Sequence, residues 1–225
     1  MAAAAVAAIG IALGQWQTRR AQEKEAIEAR LTVREAASPL SLNAGMPSAE
    51  DAEYRRAIAR GEFVRDWTIY LDNRPYQGAA GFYVLMPFRL ATSGQYLLVA
   101  RGWVKRDFAD RTRLPAIATP AGMTEIEGLL RRNPGHVLQL GRAEALRPGA
   151  IVQNVDLQEF ARASKLDIAP LMLEQLNDTR DGLIRDWPRP SGGADRHRGY
   201  AFQWYALAAT ALVFFVVTGF RRGTN

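Results

Sequence analysis

At 225 residues, with 48% hydrophobic and 23% charged side chains, the chain has room for one folded domain once any membrane spans are subtracted, and not for two. It has no cysteine, which excludes disulfides, thiolate-held zinc, iron–sulfur clusters and thiol catalysis. The formal charge of +6 comes from arginines scattered among glutamates and aspartates, which reads as a solvated face and not as a nucleic-acid surface.

The N-terminal stretch MAAAAVAAIGIALGQWQ is uncharged and reaches about 25 Å as a helix. Residues 1–17 predict a first membrane helix, truncated at its start because about 30 Å of hydrocarbon must be crossed. A cleaved signal peptide is the rival reading, although the basic n-region is missing. Gly10 and Gly14 form a G-x-x-x-G face for close helix packing. The run RRAQEKEAIEARLTVRE extends the same helix, and Ser38-Pro39 and the Gly45-Met46-Pro47 turn end it. A second helix is predicted from Ala49 to Arg60, with Ser48 as N-cap, Glu50 and Asp51 in its first turn and Gly61 as its stop.

Strand signals follow. FVRDWTIYL alternates at Trp67, Ile69 and Leu71, and Asp72-Asn73-Arg74-Pro75 has turn chemistry. GFYVLMPFRL, the hairpin signal Ser93-Gly94 and QYLLVARGWV predict two paired strands, the second buried. TEIEGLLRR is a further strand ending at the Asn133-Pro134-Gly135 turn. Asp156 caps a short helix over LQEFARASK, and PLMLEQLND is extended again. The last stretch, DWPRPSGGADRHRG, reads as a loop.

Tyr200 to Phe220 carries no charge over 21 residues, enough for about 31 Å of helix, and predicts a second membrane span. Trp204 and Tyr205 suit the lipid–water boundary, and Arg221 and Arg222 mark a cytoplasmic end. Arg19, Arg20, Arg196 and Arg198 fall on the opposite side, so the positive-inside rule is half met. The fold class predicted is therefore an α+β membrane protein. Two transmembrane helices, at the N- and C-termini, flank an antiparallel β-rich periplasmic domain over residues 18–199, and residues 221–225 form a cytoplasmic tail.

Chemistry is sparse. There is no G-x-S-x-G, H-E-x-x-H or P-loop, so the chain is not expected to be an enzyme. Of two histidines, His136 reads as an exposed loop residue. His197 stands three residues before the apolar span, flanked by Arg196 and Arg198 with Arg185 and Arg189 upstream. Imidazole ligates haem iron and guanidinium groups pair with carboxylates such as haem propionates; an ordinary interfacial polar residue is the plainer alternative.

Five motifs, in order, resemble the Surfeit locus protein 1 family. They are GQWQTRRAQEK (Gly14, Trp16, Gln17, Arg20, Lys24), YRRAIARGEF (Tyr54, Arg55, Gly61, Phe63), GFYVLMPFRL (Gly81, Phe82, Pro87, Leu90), VARGWV (Val99, Arg101, Gly102, Trp103, Val104) and the closing His197, Tyr200, Ala201, Trp204. Ala100 stands where the family usually has Asn, Lys105 where Pro is common, and Asp195-Arg196 where an amide pair precedes the histidine.

The resemblance implies a bacterial inner-membrane assembly factor for cytochrome c oxidase that binds haem a and helps pass it from haem A synthase to oxidase subunit I. It implies His197 as axial ligand to the haem iron, with Arg196, Arg198, Tyr200 and Trp204 in the cofactor-binding group. It also implies a partner-binding group of Trp16, Gln17, Arg101 and Trp103. A strand-end Arg-Gly-Trp suits a pocket wall or partner surface, or a core Trp103 beside a solvated Arg101. A scaffold that contacts oxidase without any cofactor is the alternative function.

Overall fold

The computed structural model describes residues 2–110, 112–139, 144–188 and 193–222. In chain order the elements are α1 (Ala2–Ala36), β1 (Leu40–Ser41), α2 (Ala49–Ala52), β2 (Arg56–Phe63), β3 (Ile69–Leu71), β4 (Gly81–Leu90) and β5 (Tyr96–Lys105). After them come β6 (Thr124–Arg131), β7 (Ile151–Val152), α3 (Leu157–Ser164), β8 (Ile168–Gln175) and α4 (Ala194–Arg222). They form two compact units, a helical one of Met1–Val33 with Pro188–Asn225, and a β-rich body of Arg34–Trp187.

In the helical unit, buried positions of α1 recur at alternating steps of three and four: Ala7, Gly10, Gly14, Gln17 and Ala21. On α4 the same steps join Ala201, Trp204, Ala208 and Ala211. This is a heptad seam, and its side chains are mostly small because the helices touch closely. A Cβ added at Gly10 would meet Ala208 Cβ and Trp204 O at 3.0 Å, and one at Gly14 would stand 2.5 Å from the Tyr205 ring. Contacts run from Gly10 with Ala208 to Glu25 with Arg198, so the pair is antiparallel.

The predicted loop before the apolar span is corrected. Helix α4 begins six residues before Tyr200, at Ala194, and His197 N already donates to Gly193 O. No proline follows Pro190, and Asp195 in the first turn favours the helix dipole, so nothing holds the chain out of helix there. Over Ala194–Gly219 the helix is long and apolar enough to cross a membrane, and among the described residues it is alone in this. The uncharged part of α1 is shorter and weighted to Ala and Gly, whose burial in lipid gains little.

In the body, strand β2 does two jobs. Its first six residues pair antiparallel with β6, and Gly61–Phe63 pair with β4. With the β6–β8, β8–β5 and β5–β4 pairings, this closes a five-stranded barrel, and β3, β7 and β1 add to it. Gly61 turns the corner, since a Cβ there would lie 2.0 Å from Arg89 O. The connectivity is that of an OB-type Greek-key barrel. The sheet is mixed and not antiparallel throughout: β5–β8, β3–β7 and β1–β2 are parallel. Strand β8 returns beside β5 only after β6 and α3, and such long returns permit parallel pairing.

The helix predicted from Ala49 to Arg60 is overturned. It is one turn, Ala49–Ala52, capped as expected by Ser48, whose hydroxyl accepts from Asp51 N. Tyr54 then takes φ 65°, and Arg56–Phe63 is strand. Ala57 and Ala59 are fully buried inside the barrel against Phe88 and Ile126, so packing overrides the helix propensity of alanine. The FVRDWTIYL strand is likewise divided: Phe63 ends β2, Arg65–Trp67 is a 3₁₀ turn, and Ile69–Leu71 is β3. The outer face of β4, β5 and β8, at Leu85, Leu98 and Met172, is covered by β3, β7 and Phe160 of α3.

Candidate functional site

His197 lies in the first turns of α4 and Gln17 on the buried seam of α1, 180 residues earlier. His197 Nδ1 and Gln17 Oε1 are 2.7 Å apart. An amide oxygen only accepts, so Nδ1 carries the proton and donates. That tautomer leaves the lone pair on Nε2, which makes no hydrogen bond among the described residues. Gln17, expected to face a partner, is buried and orients His197 instead, because its seam position points at α4. Trp16, one residue earlier, is 48% exposed.

Around His197 the predicted residues divide. Arg198 Nε is 2.8 Å from Glu25 Oε1 and is thereby engaged, whereas Arg196 is exposed with no ion pair among the described residues. Ala201 and Trp204 continue the seam below His197, and Tyr200 is exposed beside them. Arg185 does not belong to this group: it is spent in the body on Asp181. Arg189 lies outside the described residues, as do the side chains of Arg221 and Arg222. His136 is exposed in its loop. Among the described residues no cluster of three His, Asp or Glu side chains could hold a bare metal ion.

Arg101 and Trp103 both occupy the body's interior: Trp103 fills the core, one of the two expectations for it, whereas Arg101 is neither at a partner surface nor solvated. Arg101 is 0% exposed. Its Nη2 donates to Asp181 Oδ2 at 2.7 Å and to Ala118 O at 3.0 Å, its Nη1 to Thr119 Oγ1 at 2.6 Å, and its Cζ lies 4.5 Å from the Phe63 ring centre. Asp181 Oδ2 also accepts from Arg185 Nη2 at 2.6 Å and from Thr179 Oγ1 at 2.8 Å. Burial pushes the Asp181 carboxyl up, but hydrogen bonds from Arg185, Thr179 and Leu183 N prevail and hold it below the ordinary aspartate value. Burial lowers the Arg101 pKa, and Asp181 opposes it.

Trp103 Nε1 donates to Arg74 O at 2.7 Å, and its ring lies where a Cβ on Gly81 would be, 2.3 Å away. The glycine of GFYVLMPFRL thus makes room for the tryptophan of VARGWV. Gly102, at φ 151°, lets Leu183 and Ile184 pass against β5. Sequence reasoning missed Asp181. Its one available signal is that an Arg at the end of a buried strand requires a carboxylate, and NDTRDG is the turn-rich acidic run that follows β8.

Comparison with known proteins extends the motif match. The profile of the SURF1 family matches residues 4–209. The chain belongs to the SURF1 family. Cytochrome oxidase assembly protein SHY1 of Saccharomyces cerevisiae is 28% identical over 182 residues, 78% of this chain and 46% of the yeast protein. The chain thus spans about half the length of that relative. Surfeit locus protein 1 of Rattus norvegicus is 27% identical over 93% of this chain and 72% of its own length. A SURF1-like protein of Rickettsia bellii is 25% identical over 91% of this chain and 84% of its own length. Both residues of the His197–Gln17 pair and the whole Arg101 network fall inside the region matched to this SURF1 family.

Proposed function

We propose that this SURF1 family member is a membrane-anchored assembly factor for cytochrome c oxidase that carries haem a, taking it from haem A synthase and presenting it to oxidase subunit I without catalysing a reaction. The observation that carries the reading is the His197–Gln17 pair, which fixes the imidazole through Nδ1 and leaves Nε2 without a hydrogen bond among the described residues. A lone histidine suits a macrocycle that fills its own equatorial positions. Haem a, when bound, would supply an iron centre for imidazole ligation. His197 would hold the iron, Gln17 would orient the imidazole, Arg196 would pair with a propionate, and Tyr200 and Trp204 would complete the site. The exposed Trp16 faces the partner. Helix α4 and the uncharged part of α1 both cross the bacterial inner membrane, with the body on the periplasmic side and both termini in the cytoplasm.

The test is to purify the full chain from cells that make haem a. His197→Ala is expected to abolish the haem absorption bands, and Gln17→Leu to lower haem retention about tenfold while the protein still folds. An unchanged spectrum in His197→Ala removes His197 from the function. A haem-free chain that still captures an oxidase intermediate favours the cofactor-free scaffold.

A further inference from the structure

Buried guanidinium groups in the body are of two kinds. Arg101 and Arg131 each meet a carboxylate, Asp181 and Glu174. Arg74 does not. It is only 7% exposed, its Nη2 donates to two neutral carbonyls, Gly135 O and Gln153 O, each at 3.2 Å, and its Nη1 has no hydrogen-bond partner among the described residues. Every Asp and Glu of the chain is among the described residues, and none stands at ion-pair distance from Arg74. Asp72 acts on Arg74 only beyond ion-pair distance while pairing directly with Arg106, and the Tyr83 ring lies 5.8 Å from Arg74 Cζ, so the buried guanidinium is only partly compensated and a further negative charge beside it would be stabilising.

Beside Arg74 is a cavity of about 330 Å³ lined by Asp72, Asn73, Arg74, Gly81, Arg106 and Gln153, among others. Arg106 Nη1 pairs with Asp72, at 3.2 Å from Oδ1. Two guanidinium groups therefore face one carboxylate, an excess of one positive charge. The walls are fixed before any ligand arrives. Trp103 Nε1 holds Arg74 O, Asp72 N donates to Val152 O at 2.8 Å, and Tyr76 and Ala79 exchange backbone hydrogen bonds across the loop.

We propose that this cavity is a binding site for a small carboxylate ligand, held by Arg74 and Arg106. Arg106, the more exposed of the two and joined to Asp72 through Nη1 alone, offers its remaining N–H groups to a carboxylate, while Arg74, whose Nη2 is engaged with two carbonyls, adds its charge from within the wall. One negative charge cancels the excess, whereas a phosphate dianion would reverse it in a half-closed site. The size is at the small end for ligand cavities and suits a few heavy atoms. The cavity's walls come from the connection between barrel strands β2 and β4 and from the β6–β8 connection, with Arg106 added from the residue after β5. OB-type barrels take their ligands at the loops in these positions, which supports the site by analogy of fold alone.

The experiment uses the full chain in neutral detergent and follows its thermal midpoint against sodium propionate, with ionic strength held constant by sodium chloride. A saturating rise is expected for the wild type. Asp72→Asn removes the competing carboxylate and should tighten the apparent Kd about tenfold, the direction opposite to simple damage. Arg106→Gln should weaken it about tenfold, and Arg74→Gln should abolish the response. Should Arg74→Gln fail to fold, the opposed shifts of Asp72→Asn and Arg106→Gln still decide the matter. Propionate acting no differently from chloride, an identical response in all variants, or inorganic phosphate binding more tightly than propionate overturns the proposal. None of these outcomes depends on haem.

Discussion

Asp181 is the residue on which the interior of the body turns. One of its oxygens accepts from Arg101, Arg185 and Thr179, and its side chain has no exposed surface. Removing it leaves two guanidinium groups without their shared carboxylate, and breaking a buried pair in this way costs about 3–5 kcal/mol. Arg101→Met is a milder change, because Asp181 keeps Arg185 and Thr179 while a thioether packs against Phe63 and Met86. It should cost about 1–3 kcal/mol. Denaturant unfolding of the full chain in detergent checks the order: Asp181→Ala well below Arg101→Met in stability. Equal losses would mean that Arg101, not Asp181, holds the strap of residues 181–184 against β5.

At the scale of elements, the helix pair depends on two glycines whose missing side chains set its spacing. Since the chain has no cysteine, a designed pair reports on that spacing without background. A Cβ at Gly10 lies 3.0 Å from Ala208 Cβ, slightly inside the usual range of about 3.5–4.5 Å for a disulfide, so a small adjustment suffices. Gly10→Cys with Ala208→Cys should cross-link within one chain on mild oxidation, seen as a gel shift that reductant reverses. Adding Gly14→Leu places a branched side chain where the Tyr205 ring lies, and should lower the cross-linked fraction several-fold. An undiminished yield would mean that α1 and α4 do not meet along this seam.

For the whole molecule, what could be read from the sequence follows the range of the interactions involved. Strands β4, β5 and β6 announce themselves by local apolar runs, and the caps Ser48 and Asp156 by hydrogen bonds to amides two or three residues on. The alanines of β2 mislead because their strand is imposed by the barrel around them. Asp181 and the His197–Gln17 contact join positions 80 and 180 residues apart, and a single sequence carries no record of such pairing. The same long-range packing creates a pH dependence. Glu174 pairs with Arg131 at 3.1 Å, yet burial outweighs the pair and raises its carboxyl to about 7 from an ordinary 4.5. Between these values the folded chain keeps a proton that the unfolded chain has released. Its contribution to stability is therefore complete below about pH 4.5 and is lost as pH rises to about 7, up to about 3 kcal/mol in all. Asp181, shifted the other way, acts only at more acid pH, where stability falls as the carboxyl takes up its proton. Midpoints measured from pH 5 to 8 should decline for the wild type and stay nearly level for Glu174→Gln, which keeps the shape and carries no charge. A Glu174→Gln chain that declines as steeply as the wild type would place the titration elsewhere in the body.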